Sequence, residues 1–361
     1  MAKTILLVAG ARPNFMKIAP ILRALHRCGR SFRPVLVHTG QHYDDNMSGQ
    51  FFRELGIPVP DIYLKVGSGT HAVQTAEIMK RFEKTVMRAR PAGVVVVGDV
   101  NSTLASALVS SKLGIPLAHV EAGLRSGDLS MPEEVNRVIT DRLSDLLFTP
   151  HAEADAHLKH EGIAKHKIFR VGDVMIDNLF FEWKKIKSAR PPRVTRGIRR
   201  YAVLTLHRPG NVDNLAQLRH IARVLREASK LLPIFFPVHP RTKQKLKQLK
   251  IDLGSGVHLL QPLGYRDFLA LFSRAAAVLT DSGSVQVETS VLDIPCLTMR
   301  ENTERIMTLS QGSNTLVGTD QKKVLGGIKK ILSGKYKKSR LMKCWDGNAA
   351  ERIARVLTRR F

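Results

Sequence analysis

The sequence predicts an α/β protein built from two doubly wound domains with parallel sheets. Three observations predict it. Short apolar, β-branched runs recur along the chain, longer amphipathic stretches separate them, and the rhythm breaks once near residues 184–200 before restarting. With 361 residues there is enough chain for two cores.

Each element follows from the local pattern. Residues 5–10 (ILLVAG) form an apolar run with no A-x-A cleavage pattern and read as a first buried strand, not a leader. PVLVHTG (34–40), GVVVVGDV (93–100), PLAHVEAG (116–123) and LLFTP (146–150) read as the next strands, each ending in Gly, a polar residue or Pro. Between them, Phe15–Arg27, Thr70–Ala89 and Ser102–Leu113 carry helical periodicity. Apolar strands alternating with helices mean βαβ units with both sheet faces covered. The segment KKIKSARPPRVTRGIRR (184–200), with Pro191 and Pro192, interrupts this pattern and reads as a loop. YAVLTLH (201–207), IFFPVHP (234–240), VHLLQ (257–261), AAVLTDSGS (276–284) and PCLTMRE (295–301) resume it, and Ala349–Arg359 reads as a last helix. The expected division is 1–170 and 171–346.

Lys and Arg number 57 against 31 Asp and Glu, a net charge of +26. The excess gathers in 184–200, in 241–250 and from Lys322 onward, where Lys interleaves with apolar residues as on solvated helix faces. Only 6% of residues are aromatic, and no helix-turn-helix, RRM, KH or zinc-finger pattern occurs, so nucleic acid is disfavoured as a partner. A charged fraction of 24% against 43% hydrophobic excludes a disordered chain. Three scattered cysteines exclude a disulfide framework. No stretch approaches the ~20 apolar residues of a membrane span, and a cytoplasmic protein is expected. Neither GxGxxG nor GxxxxGK[ST] is present, and no H-E-x-x-H or D-x-D calls for a metal.

The polar residues at the strand ends carry the functional signal, because ligands of open parallel sheets bind beyond the carboxyl ends of the strands. Arg12 and Lys17 follow the first strand at a helix N-terminus, where anions bind. Asp99 ends the run 93–97, Glu121 ends the next, and Glu133 and Glu134 open a helix after Pro132. In the second half, His207 with Arg208 and His239 with Arg241 mark strand ends, Asp281-Ser282-Gly283-Ser284 leads into a helix, and Glu288 lies about one turn further. Singly, each has an ordinary explanation: a helix cap, a turn, a satisfied core histidine, or, for Glu134 and Arg137, a surface pair three residues apart. Together they describe a pocket that holds phosphates and transfers protons.

The segments GARPNFMKIAP, TGQHYD, VGDVNSTLA, HVEAGLRSGD, MPEEVNR, TLHRPGN, PVHPRT and LTDSGSVQ occur in an order and spacing that resembles the non-hydrolysing UDP-N-acetylglucosamine 2-epimerases, from Gly10 to about Asp320. The resemblance implies a GT-B-like pair of Rossmann-type domains with an interdomain cleft, a homodimer, and a last helix (about 347–361) packed back on the N-terminal domain. It implies a C2 epimerase that eliminates UDP to a 2-acetamidoglucal and adds it back, in surface polysaccharide synthesis, with neither cofactor nor metal. Asp99, Glu121, Glu133 and His207 then match the catalytic set, without assignment to individual faces of C2. Arg12 and Lys17 match cations of the cleft, with Arg208 and His239 also on the substrate side. Phe268 matches uracil packing; Ser282, Gly283 and Ser284 match the diphosphate-binding helix start; Glu288 matches the ribose carboxylate, and Arg305 a phosphate cation. Gln41 and His42 match a segment at which bacterial members bind an activating second substrate molecule.

The chain departs from the family pattern at Ser284 and Val287, where the usual block has Gly and Glu, and at Ile306, where Pro is usual. Asp44 occupies a place often held by a polar amide, and SGDLSM is an unusual linker between HVEAGLR and PEE. Two further readings keep the nucleotide: a hydrolysing epimerase, and an epimerase of a modified UDP-sugar such as a diacetamido-uronate. A third is a UDP-sugar- or nucleic-acid-binding protein without catalysis.

Overall fold

The structure is a computed structural model that describes residues 2–41, 52, 56–187, 192–340 and 342–361. It divides into two compact units, Met1–Phe180 with Met342–Phe361, and Phe181–Leu341.

Among the described residues, unit 1 holds a seven-stranded, all-parallel sheet in the order β3-β2-β1-β4-β5-β6-β7. The strands are β1 (Lys3–Ala9), β2 (Phe32–His38), β3 (Ile62–Tyr63), β4 (Gly93–Val97), β5 (Leu117–Val120), β6 (Leu146–Thr149) and β7 (Ile168–Arg170). Val94 to Val97 are wholly buried, as central strands covered on both faces must be. The helices are α1 (Arg12–Arg27), α2 (His71–Ala89), α3 (Asn101–Lys112), α4 (Pro132–Leu143), α5 (Ala152–His160) and α6 (Val174–Ile186), of which the residues from Phe181 onward belong to unit 2. Pro13 and Pro132 stand in the first turns of α1 and α4, where a missing N–H costs nothing.

Unit 2 holds a six-stranded parallel sheet in the order β10-β9-β8-β11-β12-β13. Its strands are β8 (Ala202–Thr205), β9 (Ile234–Pro237), β10 (Val257–Leu260), β11 (Ala277–Thr280), β12 (Cys296–Thr298) and β13 (Asn314–Leu316). Its longer helices are α7 (Leu215–Ser229), α8 (Pro240–Gln248), α9 (Tyr265–Phe272), α10 (Gly283–Val291) and α11 (Gln321–Leu332). Both sheets reverse direction of growth beside their first strand, between β1 and β4 and between β8 and β11. Those are the switch points at which side chains on adjacent loops converge.

The last helix, α12 (Ala349–Arg360), belongs to unit 1. Its inner face carries Ala349, Ala350, Ile353, Ala354 and Leu357, all in the core that includes Phe15, Ile18 and Leu25 of α1. Asp177 of α6 accepts hydrogen bonds from Ala349 N (3.1 Å) and Ala350 N (2.8 Å), capping α12. Burial pushes that carboxyl up to about 6, since its N–H partners do not outweigh desolvation and the nearby Asp173 and Asp346.

Candidate functional site

At the C-terminal edge of the unit 1 sheet, the Gly10–Asn14 turn is fixed first. The Asn14 carboxamide accepts from Gly10 N (3.2 Å) and Ala11 N (3.0 Å) and donates to Val97 O (3.0 Å), tying the β1 turn to the end of β4. One turn further along α1, buried Lys17 forms an ion pair with Glu121. Glu121 is itself 4% exposed and adopts φ +70°, a conformation that favours glycine and that a bulky residue keeps only when its surroundings enforce it. Gly98 makes room for the pair: at φ +69°, an added Cβ would lie 2.8 Å from Lys17 Nζ.

Asp99 follows directly. Its Oδ2 accepts from Arg137 Nη2 (2.6 Å), and its carbonyl accepts from Asn136 Nδ2 (2.8 Å), both on α4. Arg137 also donates to Glu134 Oε2 (2.6 Å), while Glu134 Oε1 accepts from Ser126 N and Gly127 N at 2.9 Å each. Burial opposes ionisation of Glu134, but those N–H groups and Arg137 hold its carboxyl below the ordinary range. Glu134 and Arg137 are thus not the surface pair their spacing suggests. Both are nearly inaccessible, and they brace Asp99. Glu133, one residue earlier in the first turn of α4, is exposed. Arg12 is exposed at the start of α1.

Beneath the same edge, His119 faces Asp141 Oδ1 (2.6 Å) and Gly98 O (2.8 Å). Asp141 also accepts from Gly123 N (3.0 Å) and pairs with Arg125 (2.7 Å). Despite complete burial, these partners hold the Asp141 carboxyl low. The result is a rigid floor under the Gly98–Asp99 and Val120–Glu121 turns.

The unit 2 edge is organised around Asp281, which is fully buried after β11. It accepts from His207 N (3.1 Å), Arg208 N (3.0 Å) and Asn211 Nδ2 (3.1 Å), and its Oδ1 lies 3.0 Å from His207 Nδ1. Burial raises the carboxyl, but the His207 contact, the Arg208 N–H and Asn211 hold it below its ordinary value. The His207 side chain is 58% exposed, so Asp281 steadies one ring nitrogen and leaves the ring open to solvent. Arg208 donates through Nε to Asp281 O (3.2 Å).

Gly283 begins α10, and an added Cβ would meet Glu304 Oε1 at 2.4 Å and Arg305 Nε at 3.7 Å. Glu304 pairs with Arg300 (2.9 Å) and lies 4.0 Å from Arg208 Nη2. Ser282 and Ser284 share a hydroxyl hydrogen bond of 3.1 Å at this helix start. A helix N-terminus ringed by Arg208, Arg300 and Arg305 is suited to anionic oxygens. Further into α10, buried Glu288 accepts from Tyr265 OH (2.7 Å). Burial and the adjacent carboxylate push that phenol well above its ordinary range. Phe268, half-buried on α9, packs 5.2 Å from the Phe272 ring.

The structure therefore gathers Lys17, Asp99 and Glu121 at one edge, with Arg12 and Glu133 on the adjoining helix starts. It gathers His207, Arg208, Ser282, Gly283, Ser284 and Arg305 at the other. His239 is exposed two residues beyond β9, at the carboxyl edge of the same sheet. Gln41 is buried, its Oε1 accepting from Ser102 N (3.0 Å) and Ser102 Oγ (2.7 Å), while His42 lies outside the described residues. Sequence reasoning missed Asn14, Arg137, Asp141, Asn211, Tyr265 and Glu304 as supports. Asp281 was legible as the opening of the DSGS turn, but not as the partner of His207. Among the described residues no three His, Cys, Asp or Glu side chains converge to hold a metal ion, and no helix is long and apolar enough to cross a membrane.

Two Rossmann-type parallel sheets, each with a charged cluster at its carboxyl edge, define an α/β enzyme of GT-B-like class. Comparison with known proteins sharpens this. The family described as UDP-N-acetylglucosamine 2-epimerase matches residues 24–358. A UDP-N-acetylglucosamine 2-epimerase of Methanocaldococcus jannaschii is 40% identical across 98% of both chains. The crystal structure of the enzyme from that organism, in complex with UDP-GlcNAc and UDP, superposes with a TM-score of 0.90 over 99% of each chain. A UDP-2,3-diacetamido-2,3-dideoxy-D-glucuronate 2-epimerase of Pseudomonas aeruginosa is 39% identical, covering 98% of this chain and 99% of its own. The chain belongs to the UDP-N-acetylglucosamine 2-epimerase family.

Proposed function

We propose that the chain interconverts UDP-N-acetylglucosamine and UDP-N-acetylmannosamine by epimerisation at C2. The observation that carries this reading is the unit 1 edge, where Glu121 and Asp99 are each held by a buried cation at a sheet switch point. C2 of the sugar is not acidic, so simple proton exchange there is slow. In the proposed route a base takes the C2 proton as the C1–O bond breaks. UDP leaves with that electron pair, and a C1=C2 double bond remains in a 2-acetamidoglucal. A UDP oxygen then attacks C1, and a proton is delivered to the opposite face of C2.

Asp99, Glu121, Glu133 and His207 together supply the base and the acid. Lys17 and Arg137 hold their carboxylate partners in a fixed orientation. Arg208, Arg305 and the Ser282–Ser284 helix start take the charge of departing UDP, with Arg12 and His239 as further substrate-side groups. Phe268 packs the uracil and Glu288, steadied by Tyr265, binds the ribose hydroxyls. The chain uses no cofactor or metal in this scheme, acts as a homodimer, and feeds surface polysaccharide synthesis. Gln41 and His42 are the candidate positions for an activating second substrate molecule.

A second reading, epimerisation of a diacetamido-uronate UDP-sugar, is favoured by the near-equal identity of the Pseudomonas enzyme and by Ser284 and Val287 in the nucleotide block. Proton NMR of the products decides between them. UDP-N-acetylmannosamine formed from UDP-N-acetylglucosamine is the expected result. Free N-acetylmannosamine with UDP identifies a hydrolysing enzyme, and turnover of the diacetamido-uronate alone establishes the second reading.

A further inference from the structure

We infer that unit 2 carries a second binding site, for a small polyanion of phosphate type, at the outer edge of its sheet. β13 is an edge strand, and α11 with the segment after it lies alongside. Lys322, Lys323 and Lys330 of α11 and Lys335 and Lys337 beyond it line one cavity of about 600 Å³. No carboxylate lines this cavity. The nearby Asp320 caps α11 by accepting from Lys323 N (2.9 Å) and interacts with Lys322 and Lys323. Lys337 donates to Leu309 O (2.6 Å). Lys323, Gly326 and Lys330 share one helix face by their spacing, while Val324 and Ile328 are buried in the core.

The two glycines inside α11 separate packing from opening. Gly327 is required by packing, since an added Cβ would lie 2.8 Å from the Leu297 side chain. Gly326 is not: an added Cβ would meet nothing within 4 Å. Glycine is the poorest helix former after proline. Here it stands mid-helix on the cavity wall between lysines, where its missing side chain leaves backbone and space open. Lysine side chains around a half-open volume with no carboxylate in its lining can bring their ammonium groups to clustered phosphate charges, and the volume suits a compact ligand, not a polymer. The cavity shares no residue with the His207–Asp281 cluster.

The test is calorimetric titration of tripolyphosphate into the full chain, with UDP present at saturation to occupy the strand-edge anion site. The expected result is saturable one-to-one binding that weakens as salt rises. Lys323→Gln with Lys330→Gln should weaken it at least tenfold. Gly326→Ala should weaken it severalfold while raising Tm, an opposition that a merely structural glycine would not show. Epimerase activity should be unchanged in all of these variants. Equal affinity in the variants, binding that scales only with net charge, or no saturable binding would overturn the proposal. Oligonucleotide binding through the same lysines without tripolyphosphate binding would also overturn it.

Discussion

The carboxyl edges of the two sheets share a topology and differ in which charge is clamped. In unit 1 the carboxylates Glu121 and Asp99 lie on the strand turns, and cations from neighbouring helices, Lys17 and Arg137, hold them. In unit 2 the carboxylate is underneath: Asp281 is consumed by two backbone N–H groups, Asn211 and the His207 ring, and what faces outward is an imidazole, arginines and a helix N-terminus. The first arrangement fixes the orientation of carboxylates, and the second presents donors suited to an anion. A common architecture thus acquires complementary chemistry by exchanging a few residues at its switch points.

The comparison breaks most sharply in unit 1. Glu121→Gln and Asp99→Asn should each lower kcat by roughly 10²–10⁴, the range for a lost acid–base group, while UDP affinity measured by calorimetry stays close to wild type. A large loss of UDP affinity in either variant would mean the two edges do not divide the work this way.

The next effect concerns stability and contrasts buried aspartates with and without cation partners. The Asp177 carboxyl is raised from 3.8 to about 6, so between those values the folded chain binds the extra proton. The contribution of Asp177 is therefore fully present below the lower value and falls as pH rises through the window, by on the order of 3 kcal/mol at most. Asp141 and Asp281 are depressed, and their contributions have the opposite sign, being lost as pH falls below the ordinary aspartate range. Urea denaturation from pH 4 to 6.5 should show Asp177→Asn removing the downward contribution alone.

Asp281→Asn should slow turnover roughly 10–100-fold, because the amide keeps only one accepting oxygen, and its NH2 would face either the His207 ring nitrogen or the Arg208 N–H and Asn211 donors. Nitrogen NMR of His207 should show one ring tautomer in the wild type and a mixture in the variant. The smallest effect is assigned to Gly283→Ala, whose Cβ would crowd Glu304. It should raise KM for the UDP-sugar severalfold with little change in kcat, a change in nucleotide binding alone.

The strand turns were the most legible part of this site. Runs such as Val94–Val97 stop abruptly at Gly98-Asp99, and β8 and β11 run into His207 and Asp281, so alternation of apolar strand and polar turn marks the positions directly. The central strands and α1, α2, α3 and α12 follow from the same periodicity. The edge strands β3, β7 and β13 did not, because each is only two or three residues long and partly exposed, leaving no pattern to read. Supporting side chains were hidden for a different reason. Spacing places Glu134 and Arg137 on one helix face, but only the packed fold turns that face inward onto Asp99. Asn14 and Tyr265 likewise act across elements distant in sequence, at Val97 and Glu288.

In the proposed scheme Asp99 and Glu121 of unit 1 take part in moving the C2 proton, with Glu133 and His207, while the rest of the unit 2 edge holds the nucleotide. Deuterium incorporation at C2 of UDP-N-acetylglucosamine in D₂O, followed by proton NMR, tests it most directly. Wild type should exchange C2–H as the epimer appears, and Glu121→Gln and Asp99→Asn should lose exchange while still binding UDP. Wild-type exchange rates in both variants, or epimer formed without solvent deuterium at C2, would contradict the account.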